Sequence, residues 1–397
     1  MSQRAAQRVV VVGASAAGLA TVEALRAAGH TGQITLVGEE AHTPYDRPPL
    51  SKHLLSGDWE PDRLALRPDD ALNALDLDLR LATTAVAADI TAHTVTLSDG
   101  AVLDYDALVI ATGVRPRPLP GVDGHVIRTL DDALQLRSRL RPGTRVAVVG
   151  AGFLGAETAA VARSLGCRVT LVEPAPAPLS QALGDAVGNL VADLHRAHGV
   201  DLRTGVGVVS TSDGSLALSD GSSVGADLVV VAIGSLPNTE WLTGSGLTLA
   251  DGVVCDHFCQ AAPGVWAAGD VARWHNPLFD TTMRIEHRTN AAEQGTHVAR
   301  NLLARPEDRR RFAPVPYFWS DQYGIRLQAY GYLRDHDEAV LLDADADIRR
   351  LLMGYRRGER LVGVLGVGLP PRQLRGWRAA IAGAMDWAEI GAVSDAV

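Results

Sequence analysis

Two separate segments of the chain share one pattern of hydrophobic and polar positions. The segments are residues 8–40 and 145–175. Each begins with a run of apolar, mostly β-branched residues, followed by a turn that contains glycine. A helix-like stretch with small residues on one face comes next, and a second apolar run followed by an acidic residue ends the segment. Continuous apolar strands joined by a helix are typical of a parallel sheet buried on both faces. The pattern therefore predicts two β-α-β units, each the core of a nucleotide-binding domain.

The same pattern divides the chain into predicted domains. Each unit is followed by a hairpin, an apolar strand and a proline-rich exit, at residues 93–121 and 216–238, and the exits are the predicted crossings between domains. Beyond Ala304 a charged loop leads into an alternating, aromatic-rich β region. The predicted fold class is α/β, with two Rossmann-like dinucleotide-binding domains and a C-terminal α+β domain. The predicted boundaries are 1–115 with 245–312 for the first domain, 116–244 for the second and 313–397 for the third.

Composition and charge narrow the classes of partner and location. The net charge of −9 argues against general affinity for nucleic acid or an anionic membrane, because both require a basic surface. No run approaches the ~18 apolar residues of a transmembrane helix, and residues 1–7 lack the apolar core of a signal peptide. The three cysteines, Cys167, Cys255 and Cys259, are an odd number, which favours a reducing cytoplasm. We expect a cytoplasmic protein that is a monomer or a weak dimer, with no metal site.

The turn of the second unit, "GAGFLG", has glycine at all three positions of a dinucleotide-binding fingerprint: Gly150, Gly152 and Gly155. These glycines allow a tight turn, close approach of the backbone to a pyrophosphate and close packing of helix on strand. Glu173 follows the next strand and is placed to bind a ribose 2′-hydroxyl. A carboxylate there repels a 2′-phosphate, so NADH is favoured over NADPH. The alternative is a surface acid that merely ends a strand.

The turn of the first unit, "GASAAG", lacks the middle glycine: Gly13 and Gly18 flank Ser15. Serine is small and can donate a hydrogen bond to a phosphate oxygen, and Glu39 after the next strand suits a ribose diol. The alternative is a turn in a sheet that binds no nucleotide, and the intact second copy argues against it.

Charged residues near the two turns have an ordinary and a functional interpretation. In "TPYDRPPLSKHLLSG", the prolines begin a helix and Lys52 is ordinarily a solvated charge. Beside a flavin, Lys52 can stabilise the reduced, anionic ring, and Arg47 can pair with the pyrophosphate. Glu157, in the first turn of the second predicted helix, either complements the helix dipole or lies where the nicotinamide arrives. Lys52 is its expected partner there.

Two later segments also allow more than one interpretation. "GVWAAGDVAR" predicts a strand, a turn and a helix with Asp270 at the N-cap, where the carboxylate can also accept from a ribityl hydroxyl. Trp319 in "PYFWSDQY" is a core residue, a cover for the flavin or part of a docking surface. The arginines at 309–311 are interpreted as a solvated loop, with contact to an acidic protein as the alternative.

Several motifs in the expected order identify a family. The two nucleotide units, "ATG", "AAGD" and "YDRPPLSK" together resemble the FAD-dependent pyridine nucleotide-disulfide reductase superfamily. Within it, "PYDRPPLSK", "IRTLDDA", "RIEHRTNAAEQG" and "FWSDQY" are similar to the ferredoxin reductases of oxygenase systems. The N-terminal third has no cysteine, where disulfide reductases and peroxidase-type relatives carry the reactive one. The resemblance covers nearly the whole chain.

The resemblance implies a mechanism and a set of contacts. NADH gives a hydride to FAD, and single electrons then pass to a small iron-sulfur ferredoxin that serves a cytochrome P450 or a ring-hydroxylating dioxygenase. Lys52 and Glu157 are the expected catalytic residues. On the FAD side the expected residues are Gly13, Ser15, Ala17, Gly18, Glu39, Arg47, Lys52, Ala85, Thr112, Gly113, Arg128, Asp270, Glu286, Arg288 and Trp319. The NADH site, which Glu286 also lines, is expected to comprise Gly150, Gly152, Phe153, Leu154, Gly155, Glu157, Glu173, Ile233 and Gly234.

Two residues depart from the family pattern, and two other functions compete. Ser15 stands where the family usually has glycine, and Arg288 stands where relatives usually carry an apolar or aromatic residue near the flavin. A cation at Arg288 can raise the flavin potential or pair with a cofactor phosphate. The competing functions are an NADH oxidase or peroxidase-like flavoprotein and a flavin- and NADH-binding redox sensor.

Overall fold

The computed structural model describes residues 7–212, 214–345 and 350–390. Its chain divides into two compact units. The first comprises Met1–Asp46, Leu64–Arg115 and Leu236–Pro316, and the second Arg47–Arg63, Pro116–Ser235 and Tyr317–Val397. The segment from Arg47 to Arg63 thus belongs to the second unit, although it lies within the predicted 1–115 segment. The three-domain division stays a prediction.

The first unit is built on the predicted β-α-β arrangement. Arg8–Val12 pairs in parallel with Gln33–Val37 on one side and with Ala107–Ile110 on the other. Four of the five residues in each of the first two strands are buried, as expected for a sheet covered on both faces. The strands of this sheet are, in order, Gln260–Ala262, Val265–Ala267, Ala107–Ile110, Arg8–Val12, Gln33–Val37 and Asp78–Arg80.

Two smaller sheets, one antiparallel and one mixed, and a few helices complete the first unit. The helix Ala16–Ala27 packs on the long helix Arg288–Leu303, where Gly295 lies so close to helix Ala16–Ala27 that a Cβ atom would be 2.3 Å from the Ala17 carbonyl oxygen. The predicted hairpin at Asp99-Gly100 is present. The two sheets comprise Ala85–Asp89, Thr94–Leu97 and Val102–Asp104, and Leu249–Ala250, Gly252–Cys255, Ala272–Asn276 and Thr281–Met283. The short helices are Asp69–Asn73, Glu240–Leu242, Gly269–Val271 and Pro306–Asp308.

The predicted helix with Asp270 at its N-cap is wrong. Val265–Ala267 is a strand as predicted, but Asp270 lies inside the single 3₁₀ turn Gly269–Val271, and the chain continues as the strand Ala272–Asn276. The physical reason is the burial pattern of "ARWHN", which alternates between buried and half-buried residues with the period of a strand. That strand pairs with Gly252–Cys255.

The second unit repeats the nucleotide-binding arrangement and adds a C-terminal sheet. Arg145–Val149 pairs in parallel with Arg168–Glu173 and with Leu228–Val231, and Asp201–Thr204 completes that sheet. A three-stranded sheet packs on it through a cluster that includes Val149, Val172 and Leu216. The three-stranded sheet comprises Val208–Ser212, Ser215–Leu218 and Ser223–Gly225. The helices of this part are Pro48–Ser51, His53–Ser56, Leu130–Arg139, Phe153–Ser164, Ser180–Leu183 and Asp185–Ala197.

The C-terminal sheet has five antiparallel strands and packs on the helix Pro371–Ala382. Its strands are, in order, Tyr317–Gln322, Ile325–Gly331, Arg360–Val367, Arg350–Arg357 and Glu338–Asp345. At the first turn of the sheet, the Tyr323 hydroxyl lies 2.9 Å from Nδ1 of the fully buried His195. Burial lowers the pKa of His195 to about 4. This histidine is therefore neutral at pH 7.

Within the residues that the structure describes, no helix is both long enough and apolar enough to cross a membrane.

Candidate functional site

The two glycine turns have the same geometry. A Cβ atom on Gly13 would lie 2.1 Å from the Ala111 carbonyl oxygen, and one on Gly18 would lie 1.9 Å from the Gly13 carbonyl oxygen. In the second unit the corresponding distances, from Gly150 to Ala232 and from Gly155 to Gly150, are 2.4 and 1.9 Å. Packing therefore requires the first and last glycine of each turn, whether or not a ligand is bound.

The middle position of each turn has a different role. A Cβ atom on Gly152 would meet no atom within 4 Å, so the protein's own packing does not require glycine there. The space around a glycine in such a turn is what lets a pyrophosphate approach the backbone. In the first turn Ser15 precedes the helix Ala16–Ala27, and its side chain makes no capping hydrogen bond. Both middle positions are consistent with a nucleotide as their partner.

The acidic residue that follows each β-α-β unit differs between the two copies. Glu173 is fixed to the second turn: its Oε2 accepts from the Ala151 backbone N–H at 2.7 Å, and its Oε1 accepts from that of Ala175 at 2.9 Å. Glu39 is exposed beyond the strand Gln33–Val37. A carboxylate held against the glycine turn lies where the adenosine ribose of a dinucleotide binds.

A buried carboxylate with three donors occupies the helix after the second turn. Glu157 is 4% exposed, and its Oε2 accepts from Lys52 Nζ and from Ser51 Oγ, both at 2.6 Å. Its Oε1 accepts from Ser320 Oγ at 2.6 Å. Lys52 also donates to the Pro48 carbonyl oxygen at 3.3 Å. The expected pairing of Lys52 with Glu157 is confirmed, and we name these residues with Ser51 and Ser320 the Glu157 cluster.

Two members of this cluster, Ser51 and Ser320, were not predicted from the sequence. Both lie in segments that were singled out for other residues, Lys52 in one and Trp319 in the other. A single serine gives no signal by itself, because exposed and structural serines are common in every loop and strand. The period-2 pattern of Tyr317–Gln322 would have placed Ser320 on one face with Phe318, whose ring contacts Phe153 edge-on at 4.9 Å.

Arg288 of the first unit has a partner that the sequence analysis did not consider. Its Nε donates to Oδ1 of Asp46, the acid of the "YDRPPL" motif. The side chains are 26% and 34% exposed, so the pair is partly shielded from solvent. Asp46 therefore offsets the positive charge of Arg288, and a field from an unpaired cation is not expected.

The "ATG" motif of the first unit is held by one asparagine. Asn238 Nδ2 donates to the Thr112 carbonyl oxygen at 2.9 Å, and Thr112 Oγ1 donates to the Asn238 carbonyl oxygen at 2.8 Å. The Asn238 backbone N–H donates to the Gly113 carbonyl oxygen at 3.0 Å. These bonds fix the segment that follows the carboxyl end of the strand Ala107–Ile110, beside the first glycine turn.

The other predicted site residues lie in both units. In the first unit Ala17 and Ala85 are buried, Asp270 accepts at its backbone carbonyl from Arg284, and Glu286 accepts from the same guanidinium. In the second unit Arg47 donates to the Arg128 carbonyl oxygen, Gly234 has φ of 99°, and Leu154 is partly exposed. Trp319 is half-buried, with the Arg326 guanidinium 5.7 Å from its ring centre, and Ile233 packs beside the Val149 cluster.

The three cysteines are free and buried. Burial raises the pKa of Cys259 to about 12 and also raises the pKa values of Cys167 and Cys255. Thiols are therefore protonated at pH 7, and none of them has the accessible thiolate that redox chemistry requires. Gln294 Nε2 donates to Cys259 Sγ at 3.3 Å, which is a packing role.

Comparison with known proteins agrees with this geometry. Putidaredoxin reductase CamA of Pseudomonas putida is 38% identical over 379 residues, which cover 91% of this chain and 89% of that protein. The ferredoxin–NAD(+) reductase component of the p-cumate 2,3-dioxygenase system, also from Pseudomonas putida, is 39% identical over 348 residues, or 86% and 85% of the two chains. The crystal structure of the covalent putidaredoxin reductase–putidaredoxin complex matches with a TM-score of 0.92 and 34% identity, over 98% of this chain and 99% of that one.

The predicted α/β fold class and the predicted resemblance are both confirmed by these matches. A family model described as pyridine nucleotide-disulphide oxidoreductase matches residues 7–295, and one described as reductase C-terminal matches residues 317–391. The chain therefore belongs to the pyridine nucleotide-disulphide oxidoreductase family, with a reductase C-terminal domain.

Proposed function

We propose that this chain is an NADH-dependent flavoprotein reductase that receives a hydride on FAD and passes single electrons to a small iron-sulfur ferredoxin. The ferredoxin would serve a cytochrome P450 or a ring-hydroxylating dioxygenase. The names of the two relatives, a putidaredoxin reductase and a ferredoxin–NAD(+) reductase of a dioxygenase system, support this acceptor class. No side-chain nucleophile takes part, because the flavin and the nicotinamide carry the chemistry.

The observation that carries the proposal is the Glu157 cluster. Glu157 lies near the start of the helix that follows the complete glycine turn, and Lys52 places a positive charge against it in a buried setting. In this environment the pair is held in one orientation and screened little by water. We assign Lys52 and Glu157 to the site of hydride transfer, where they orient the nicotinamide and balance charge.

Glu173 supports NADH as the preferred donor. Its carboxylate is already held by two backbone N–H groups, so it has one fixed position from which to accept from a ribose hydroxyl. A 2′-phosphate would meet that fixed negative charge, and the following segment "PAPAPLSQ" supplies no arginine or lysine to bind it. Gly152 leaves room for the pyrophosphate.

The first glycine turn is assigned to FAD. Gly13 and Gly18 form the tight turn. We assign Ser15 as a donor to a phosphate oxygen and Glu39 as an acceptor from the adenosine ribose. When bound, FAD supplies both hydride acceptance and one-electron transfer. Asp270, Thr112 and Gly113 are assigned to the same cofactor.

The cysteines argue against an oxidase or peroxidase of the cysteine-dependent kind. Cys167, Cys255 and Cys259 are the chain's only cysteines, and all three are buried and protonated at pH 7. The absence of disulfides among them is also consistent with the proposed cytoplasmic location. We propose a monomer or a weak dimer.

Anaerobic mixing tests the function directly. The purified protein, saturated with FAD, is mixed with NADH and then with candidate ferredoxins while the flavin absorbance is followed. We expect NADH to bleach the flavin, NADPH to do so far more slowly, and an oxidised ferredoxin to restore the colour. Equal rates with NADH and NADPH would overturn the assignment of Glu173. Rapid oxygen consumption, with no transfer to any ferredoxin, would favour the oxidase.

A further inference from the structure

The two oxygens of Glu157 have different partners. Oε2 accepts from Lys52 and Ser51, which are adjacent in the chain, whereas Oε1 accepts from Ser320 of the C-terminal sheet. Among the residues that the structure describes, Ser320 is the sole donor to Oε1. Ser320 is 0% exposed and Ser51 is 3% exposed. The orientation of the carboxylate therefore depends on a residue 163 positions further along the chain.

A second hydrogen bond, from Gln322, orients the hydroxyl of Ser320 towards Glu157. Gln322 Nε2 donates to Ser320 Oγ at 3.3 Å, and Gln322 is also buried. A serine hydroxyl has a single proton, and a carboxylate can only accept. With Gln322 donating to the Ser320 oxygen, the Ser320 proton is committed to Glu157. The bond is charge-assisted, which makes it stronger than a bond between neutral groups.

The strand that carries Ser320 is also packed against the helix that carries Glu157. Phe318, Ser320 and Gln322 lie on one face of the strand Tyr317–Gln322, because side chains alternate along a strand. On that face the Phe318 ring meets the Phe153 ring of the helix Phe153–Ser164. An apolar contact and a polar contact, two residues apart on the strand, thus fix the strand on the helix.

We propose that Ser320 is a positioning residue for hydride transfer, which acts by fixing the carboxylate of Glu157 and, through it, the ammonium of Lys52. The inference rests on the proposed function. Without the hydroxyl, Oε2 keeps its two donors but Oε1 is released, and the carboxylate can turn about its terminal bond. Small displacements of positioning groups reduce catalytic rates strongly, on the order of 100-fold for 1 Å. The substitution does not alter the glycine turn that we assign to NADH.

The test compares Ser320→Ala, Ser320→Thr and Ser320→Cys with the wild-type, FAD-loaded protein. Ser164→Ala is the matched control, because Ser164 lies on the same helix as Glu157 and, within the described part of the chain, its hydroxyl bonds only to the Val161 carbonyl oxygen. Stopped-flow absorbance under anaerobic conditions gives the rate of flavin reduction and its dependence on NADH concentration. Calorimetry on the oxidised, FAD-loaded protein with NAD⁺ gives nucleotide binding, and the long-wavelength charge-transfer band of the reduced protein with NAD⁺ reports how the nicotinamide and flavin rings are stacked.

In Ser320→Ala we expect NADH to reduce the flavin roughly 10- to 100-fold more slowly than in the wild type. Nucleotide binding should be unchanged, and the long-wavelength charge-transfer band should be weaker. Ser320→Thr keeps the hydroxyl and should recover most of the rate. Cysteine is nearly the same size as serine but is a weak donor, so flavin reduction in Ser320→Cys should remain slow. This variant serves as the test if Ser320→Ala does not fold. Ser164→Ala should match the wild type.

Two results would overturn the inference. One is a rate of flavin reduction in Ser320→Ala or Ser320→Cys equal to that of the wild type. The other is a threonine variant as slow as the alanine variant, since that would make the role one of volume and not of hydrogen bonding. If the wild type itself is not reduced by NADH, the proposed function fails instead, and the two failures are thereby distinguished.

Discussion

The buried ion pair between Lys52 and Glu157 makes a quantitative prediction about stability. The side chains are 12% and 5% exposed, so water screens their charges weakly. Removing one partner of a buried ion pair costs ~3–5 kcal/mol, because the other charge stays buried without compensation. In Lys52→Met, Glu157 keeps two hydroxyl donors, so we expect ~3 kcal/mol, at the lower end of that range. We expect a similar loss in Glu157→Gln, which leaves the ammonium facing a neutral amide.

The double variant Lys52→Met/Glu157→Gln distinguishes the pair from its parts. It removes both charges, and the glutamine amide can still bond to the hydroxyls of Ser51 and Ser320. If the pair is energetically coupled, the double variant leaves no uncompensated charge and should cost less than the ~3 kcal/mol of either single variant, far below the ~6 kcal/mol of two independent losses. For a unit of this size, 3 kcal/mol corresponds to a shift in Tm of roughly 6–12 °C.

The measurement is thermal denaturation of the four proteins, followed by circular dichroism at the same saturating FAD concentration, since unequal cofactor binding would itself shift Tm. Coupling predicts a higher Tm for the double variant than for either single variant. Losses that add to within ~0.5 kcal/mol would refute the reasoning, because independent sites add to that accuracy. Solvent would then screen the charges of Lys52 and Glu157 so well that they do not interact measurably.

Further predictions concern nucleotide choice, the flavin and pH. Glu173→Ala should lower kcat/KM for NADH by ~10- to 100-fold, the worth of one charge-assisted hydrogen bond, and reduce discrimination against NADPH; unchanged discrimination would contradict it. Asp46→Asn should raise the two-electron flavin potential, measured by dye equilibration, because it leaves the positive charge of Arg288 without its partner. Arg288→Trp leaves the Asp46 carboxylate without its partner and should lower the potential. Ser15→Gly should retain FAD but bind it more weakly in reconstitution titrations, and tighter binding would argue against a bond to phosphate. His195 has a folded-state pKa below its unfolded value, so the stability that depends on its neutral form is fully present above pH 6.5 and lost as pH falls towards 4. This loss is ~3 kcal/mol and should be smaller in His195→Gln, as denaturation midpoints from pH 7 to 4 would show.

Local periodicity accounts for the parts of the fold that the sequence predicts. The strands Arg8–Val12 and Arg145–Val149 lie where the apolar runs place them, since four of the five residues of each strand are buried. The last glycine of each turn is required by a contact within the turn itself, whereas the first is required by a carbonyl group that is distant in the sequence. The same reasoning failed at Asp270, where a five-residue strand was taken for a helix. Short segments carry few periods, and tertiary pairing then decides between the two.

Site residues were predictable where a motif holds them and unpredictable where only the fold does. Lys52 and Glu157 belong to sequence motifs, and each raised the expectation of the other. Ser320 and Asp46 complete ion and hydrogen-bond pairs with residues 163 and 242 positions away. No local pattern encodes contacts of that separation. Sequence reasoning alone therefore identified neither Asp46 as the partner of Arg288 nor Ser320 as a donor to Glu157.

The hydroxyl of Ser320 has a consequence for protein engineering. Exchanging the C-terminal domain as a module would assume that the chemistry stays with the nucleotide-binding domains. In this chain the C-terminal sheet supplies one of the three donors to Glu157. Replacing that sheet therefore also changes the hydrogen bonding of the Glu157 cluster. A chimaera designed to accept a different electron carrier must keep serine at position 320 and aromatic contact at Phe318, or its turnover with every carrier will fall together.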